Sequence, residues 1–301
     1  MISHKLGLGI IFTILFFSYA FAQVEKDRSY NLQSEYEKQI KKYPEIKVVA
    51  NFDNPNVKQI LNIPYHKIGN RTLYIDAFIS SLIGEPQPAV LLVHGGGWKS
   101  GDKEMLRPLA QRIAASGFQV FAVEYRLSTE AIYPAALCDV LTAIDYLQAN
   151  EKKYNIQEGK LAILGTSSGG QLASLAGQLA SDKISAIINV DGILAFHHPE
   201  SEEKNVASLW LGGTYEQVPE VWEQASPLFH TSQNSPPILF INSQFPRFHA
   251  GRDDMIERLD KFGIYSEVRE IKNSPHTFWL FYPWFDEVVQ YTLDFLIKTL
   301  K

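Results

Sequence analysis

The sequence predicts an α/β protein: a mostly parallel sheet covered by helices on both faces, entered through an N-terminal antiparallel hairpin. Three observations predict it. Short apolar runs recur along the chain, amphipathic stretches of helical period separate them, and turn residues mark the junctions. Unbroken apolar runs, rather than apolar–polar alternation, belong to strands buried on both faces. Of 301 residues, 46% are hydrophobic and 20% charged, enough to fill one large core. Disorder, collagen and coiled coil are excluded on the same grounds.

The chain opens with Lys5, an almost wholly apolar stretch over 6–19, and Ala20-Phe21-Ala22 before Gln23. That is the layout of a signal peptide with a small-x-small cleavage site. The stretch is shorter than the ~20 residues of a bilayer span. Residues 1–22 are therefore expected to be removed near Ala22, leaving a periplasmic or secreted protein without stable membrane insertion. No cysteine stands directly after the cut to carry a lipid. Residues 23–59, charge-dense in their first half, are expected to form a peripheral arm with one helix near 34–42 and no chemistry of its own.

Residues 60–301 carry the pattern of a single catalytic domain. The runs at 60–65 and 73–79 flank Gly69-Asn70 and read as a hairpin. Buried strands are expected at 89–93, 119–123, 161–164, 184–190 and 238–241, with a last strand at 264–271. Helices are expected at 105–115, 135–149, 171–180 and 249–262. There is no internal repeat and no linker that would split the unit.

The net charge of −5, without a basic run, argues against nucleic acid as a partner. Cys138 is the single cysteine, which excludes an internal disulfide and a cysteine-held metal. His197-His198 with Glu200 is the one cluster with the residue types for a metal, and no cofactor or metal is expected. His66 and His230 read as surface or turn residues.

In a parallel sheet the chemistry gathers at the carboxyl ends of the strands. The run 161–164 leads into Gly165-Thr166-Ser167-Ser168-Gly169-Gly170 and then directly into a helical pattern. A strand–turn–helix with G-x-S-x-G holds the serine hydroxyl exposed at a turn too tight for neighbouring Cβ atoms. Ser167 is the expected nucleophile; its plain alternative is a helix N-cap. His94-Gly95-Gly96-Gly97-Trp98 follows the strand at 89–93. Consecutive glycines let backbone N–H groups converge on an oxyanion, joined here by the N–H of Ser168. His94 is expected to brace that loop. Serine needs a general base, and His276, in the loop after the last strand, is the expected one.

These motifs resemble the α/β-hydrolase superfamily, in particular its esterase branch with an HGGGW oxyanion motif, which includes hormone-sensitive-lipase-like and feruloyl-esterase-like enzymes. The likeness extends from about residue 60 to the C-terminus. It is carried by His94 to Trp98 with Ser100-Gly101-Asp102-Lys103, Glu124-Tyr125-Arg126-Leu127, Tyr133-Pro134-Ala135-Ala136-Leu137 with Asp139, the serine turn, Ala225-Ser226-Pro227 and Pro275-His276. The resemblance implies a carboxylester hydrolase without cofactor, with oxyanion donors at Gly96 and Gly97.

The chain departs from that pattern at the triad acid. The family places an Asp shortly after the strand at 237–243, where this chain has Gln244-Phe245-Pro246-Arg247-Phe248-His249. The resemblance implies a second place for the acid, the end of the preceding strand, where Asp191 stands; it is the preferred acid, since an ionised carboxylate there requires a partner and His276 could be that partner. Asp253 is the alternative, and Glu270 or no acid at all stays open. Asp191 can also be read as a cap for the turn after it.

For substrate contacts the candidates are Trp98, Arg247, His249 and Trp279. Phe245, Phe248, Phe278, Phe281, Tyr282, Trp284 and Phe285 offer either core packing or a stacking face for sugar rings. Arg247 is expected to bind a substrate carboxylate, such as a uronic acid, or to bridge to Asp253 or Asp191. No apolar insertion long enough for a lipase lid is present. The expected activity is removal of acyl or methyl esters from plant polysaccharide of pectin or hemicellulose type, or from its oligosaccharides. The alternatives are a general short-chain carboxylesterase and, on the same fold, a serine peptidase, for whose usual propeller domain the chain has no room. A non-catalytic binding protein would be expected to have lost Ser167 or His276.

Overall fold

The computed structural model describes Asp27 and residues 29–301; the expected signal peptide lies outside the described residues. In chain order the elements are α1 (Leu32–Gln39), β1 (Lys47–Val48), β2 (Val57–Ile68), β3 (Arg71–Ser80), β4 (Gln87–Val93), α2 (Arg107–Ala114), β5 (Gln119–Val123) and α3 (Ala135–Ala149). They continue with β6 (Ile156–Thr166), α4 (Ser168–Leu179), β7 (Ala186–Val190), α5 (Lys204–Leu211), α6 (Pro219–Gln224), β8 (Ile238–Asn242), α7 (Arg252–Lys261), β9 (Ser266–Glu270), β10 (Phe281–Tyr282) and α8 (Phe285–Leu300).

Eight strands form one sheet in the order β2-β3-β5-β4-β6-β7-β8-β9. The hairpin β2–β3 and the β3–β5 pair are antiparallel; every pair from β5 through β4 to β9 is parallel. In β4, Ala89, Leu91 and Val93 enter the core under α3 and α4, while Val90 and Leu92 enter the core under α2 and α8. That two-sided burial is what the unbroken apolar runs encode. Among the described residues no helix is long and apolar enough to cross a membrane.

Three expectations are corrected in detail. The helix at 105–115 begins as a 3-10 turn over Lys103–Leu106, and α2 starts beside Pro108, which suits a first helical turn. The strand at 264–271 is a sheet edge, Ser266–Glu270, with Val268 42% exposed and charges along it; such charges discourage pairing with other chains. The helix at 249–262 is two pieces, a 3-10 turn Pro246–His249 and α7, separated at Gly251, whose φ of 82° is left-handed.

Candidate active site

β6 and α4 meet at Ser167. Its φ of 53° and ψ of −126° lie in a region that costs a non-glycine residue about 1–3 kcal/mol. The Ser167 N–H donates to Val190 O at 2.8 Å, and its own carbonyl accepts from Gly170 N at 2.8 Å, which holds the turn in place. The flanking glycines are required by contact. A Cβ on Gly169 would stand 2.2 Å from Val93 O, and one on Gly165 would stand 1.9 Å from Gly169 O.

His276 sits in the loop after β9 with its Nε2 2.8 Å from Ser167 Oγ and its Nδ1 2.9 Å from Asp191 Oδ2. Asp191 follows β7 with a φ of 52°, its N–H donating to Ile241 O at 3.0 Å. Ser243, at the end of β8, donates its N–H to Asp191 Oδ1 at 2.9 Å and its hydroxyl to Oδ2 at 2.6 Å. Burial pushes the Asp191 carboxyl up, but the nearby His249 ring, hydrogen bonding from His276 and Ser243 and the charge of His276 outweigh it and hold the group below the ordinary carboxylate range. Asp253 points elsewhere: it pairs with Arg252 at 2.7 Å and is 76% exposed. Glu270 is exposed at the sheet edge. Of the three carboxylates considered, Asp191 alone touches the imidazole.

Opposite the histidine lie Gly96 and Gly97, half-buried after β4, and Ser168 at the first turn of α4. Among the described residues, none of these three N–H groups has a backbone acceptor. A Cβ on Gly96, whose φ is 128°, would stand 2.0 Å from Ser100 O, so the loop closes only with glycine there. His94 stacks on Tyr125 at 4.3 Å with its Nδ1 2.8 Å from Gly95 O, and Tyr125 donates to His94 O at 2.8 Å. Burial pushes the Tyr125 hydroxyl far up, so it stays a neutral donor. A nucleophile, a base bonded to it, an acid bonded to the base and free donors facing them can form and break a covalent acyl intermediate.

The family model BD-FAE matches residues 75–246, more than half of the chain, a span that holds the glycine loop, Ser167 and Asp191. The chain belongs to the BD-FAE family. Among curated relatives, esterase LipC of Mycobacterium tuberculosis is 27% identical over 63% of this chain and 50% of its own, and the probable carboxylic ester hydrolase LipM of the same organism is 23% identical over 62% and 46%. The chain thus spans about half the length of these relatives. Two solved structures share the fold. A truncated carbohydrate esterase from gut microbiota superposes with a TM-score of 0.67 at 20% identity, covering 82% of this chain and 99% of its own. A thermostable esterase from Pseudomonas putida does so with 0.68 at 17% identity, covering 91% of both.

In this BD-FAE chain the arm is a wall of the site, contrary to the peripheral role expected of it. Tyr30, Glu35, Lys38, Gln39, Lys42 and Tyr43 line one side of a cleft of about 400 Å³ that reaches Ser167 and His276. The reason is a weak local signal: α1 has only eight residues, capped by Asn31, and it docks through Leu32, Tyr36 and Ile40 onto the core under α2 and α8. Glu35, 6% exposed, accepts from Thr277 Oγ1 at 3.1 Å, next to the base. The helix cap Asn31, three residues before Ser34, is the feature from which the docked helix could have been read. We expect Glu35→Ala to lower stability by about 1–3 kcal/mol, the cost of a stripped buried bond. It should also reduce kcat/KM several-fold; unchanged kcat/KM and unfolding midpoint would show the arm to be passive.

The expected substrate contacts fare unevenly. Trp98, 3% exposed, stacks its ring on Trp210 at 4.9 Å and bonds Gln171 through its N–H at 2.8 Å, and it also lines the small recess beside Ser167. Trp279, 2% exposed, stands edge-on beneath His276 at 5.3 Å and braces it. Phe278, Phe281, Trp284 and Phe285 are likewise buried, in the core shared with α2 and α8, which leaves Phe245 and Phe248, with Tyr30 and Tyr43, as the aromatic lining of the cleft. Arg247 bridges to Glu202 and Glu203, both at 3.5 Å, rather than to Asp253 or Asp191. Its guanidinium lies 4.2 Å over the Phe248 ring, whose other face stacks on His276 at 3.5 Å. His249 is buried and lies behind Asp191 rather than in the cleft. His198 pairs with Asp254 at 3.3 Å and His197 stacks on Tyr215; among the described residues no group of three or more His, Cys, Asp or Glu is placed to hold a metal.

Proposed function

We propose that this protein is an exported serine ester hydrolase that removes short acyl groups, acetyl foremost, from polysaccharide or oligosaccharide. The observation that carries the hydrolytic reading is the unbroken chain Ser167–His276–Asp191 at 2.8 and 2.9 Å. Ser167 Oγ attacks the acyl carbonyl and its proton passes to His276 Nε2. The oxyanion is held by the N–H groups of Gly96, Gly97 and Ser168, each such donor contributing about 2.7–4 kcal/mol. The sugar hydroxyl leaves with the proton from His276, and water repeats the sequence to release the carboxylic acid.

The acyl size rests on a recess of about 40 Å³ at Ser167, lined by Gly97, Trp98, Ser168 and Ile193 together with Asp191, Glu203 and Phe248. At roughly 10–15 Å³ for a water-sized group, it admits about three heavy atoms. This favours an acetyl group over the removal of methyl esters, whose acyl side is the sugar itself. The wide cleft then takes the alcohol side, where Tyr43, Phe245 and Phe248 offer apolar faces to sugar rings. Export rests on the N-terminal sequence pattern.

Hydrolysis of p-nitrophenyl acetate, butyrate and octanoate should fall steeply along the series, and Ile193→Ala should shift the preference toward butyrate. Acetylated xylan or pectin should release acetate while methyl-esterified pectin stays intact. Release of methanol instead would reverse the acyl assignment. Activity on p-nitrophenyl acetate with none on acetylated polymers would leave a general carboxylesterase.

A further inference from the structure

The triad acid faces two imidazoles. Asp191 Oδ2 takes the Ser243 hydroxyl and His276 Nδ1; Oδ1 takes the Ser243 N–H and faces His249 Nδ1 at 3.7 Å. Each oxygen therefore has one bond from Ser243 and one histidine. His249 is 7% exposed, and its Nδ1 makes no hydrogen bond of ordinary length among the described residues. No step of the reaction above uses it.

The turn that carries His249 is fastened on both sides. Ala250 O accepts from Leu194 N at 2.9 Å and Ala195 N at 3.1 Å, and a Cβ on Gly251 would stand 2.9 Å from Ala195 Cβ. Phe248, one residue earlier, is pinned between Arg247 and His276. A buried donor held this near a buried carboxylate needs only a small movement to bond it, and the low local dielectric strengthens their attraction. Asp191 faces the ring from the end of β7. Asp253 acts on it from the start of α7, with its own charge shared by Arg252, while Arg247 in the same turn is held by Glu202 and Glu203. His276 lies across the carboxylate.

We propose that His249 is a positioning residue of the triad, which steadies Asp191 Oδ1 through its Nδ1–H and, once protonated at acid pH, competes with His276 for the carboxylate. This rests on the triad reading given above. In the competition a proton from solvent enters the His249 ring, which closes on Oδ1; His276 then keeps a weaker partner, and the titrations of the two rings are linked.

The test follows the ring signals of His276 by nuclear magnetic resonance across pH in the wild type, His249→Gln and His249→Phe, beside kcat/KM for p-nitrophenyl acetate. Without the competitor, the titration midpoint of His276 should move upward by about half a pH unit or more, and the acid limb of kcat/KM should move with it. KM at pH 8 should hold. At that pH kcat should fall more in His249→Phe than in His249→Gln, whose amide still donates to Oδ1. An unmoved midpoint in both variants, with equal losses of kcat that follow the melting temperature, would overturn the proposal. Because the ring titration needs no turnover, it decides the role of His249 even if the wild type hydrolyses no ester, an outcome that would instead overturn the esterase reading.

Discussion

Ser167→Ala is expected to abolish ester hydrolysis while the fold is kept. In the proposed mechanism the hydroxyl is the atom that forms the acyl intermediate, and removing it leaves only the oxyanion donors and substrate binding. In a serine triad that loss is about 10⁶ in kcat. Ser167 is half-exposed at its turn, so losing one oxygen opens no core cavity, and alanine accepts the same backbone contacts to Val190 and Gly170. Circular dichroism and the melting temperature should match the wild type. Turnover near the wild-type rate would end the mechanism.

Asp191→Asn should cost on the order of 10⁴ in kcat, because the amide presents a donor to His276 Nδ1 and favours the wrong tautomer. Asp253→Asn should change kcat by no more than a few-fold, since its carboxylate is spent on Arg252 at the surface. The reverse ranking would move the acid to α7. A stability measurement accompanies the rate. A carboxylate whose folded pKa is depressed adds stability that is complete above its unfolded pKa and lost as pH falls through the folded value. Wild-type stability should therefore decline below about pH 4, and the decline should be shallower in Asp191→Asn.

The parallel sheet was legible because strands covered on both faces must be apolar throughout; β4 to β8 announce themselves for that reason. β9 did so less well, since an edge strand needs only one buried face and carries charge on the other. Ser167 and the glycine loop were legible because each sits in a turn whose backbone tolerates few residue types, and His276 because the base is expected in the loop after the last strand. The choice of Asp191 followed from the resemblance, which allows an acid at the end of the preceding strand, and from the cost of an unpaired buried charge, with His276 as the expected partner. Two things were hidden. Whether an aromatic residue packs or binds depends on which side of a loop it faces: Trp279 faces inward, while Trp98 packs on Trp210 and also lines the recess beside Ser167. The arm and His249 act through contacts with residues far away in the chain, and no local periodicity encodes such a contact.

Glu35 and Thr277 are 242 positions apart, and Ser167 and His276 are 109 apart. A ribosome adding about 5–20 residues per second needs roughly 5–20 s to pass from the serine to the histidine. Throughout that interval the nascent chain holds a nucleophile without a base and an arm without the residue that receives it. Hydrolytic competence does not accumulate as the sheet grows; it waits for the loop after β9, which brings His276 to Ser167 and Thr277 to the arm.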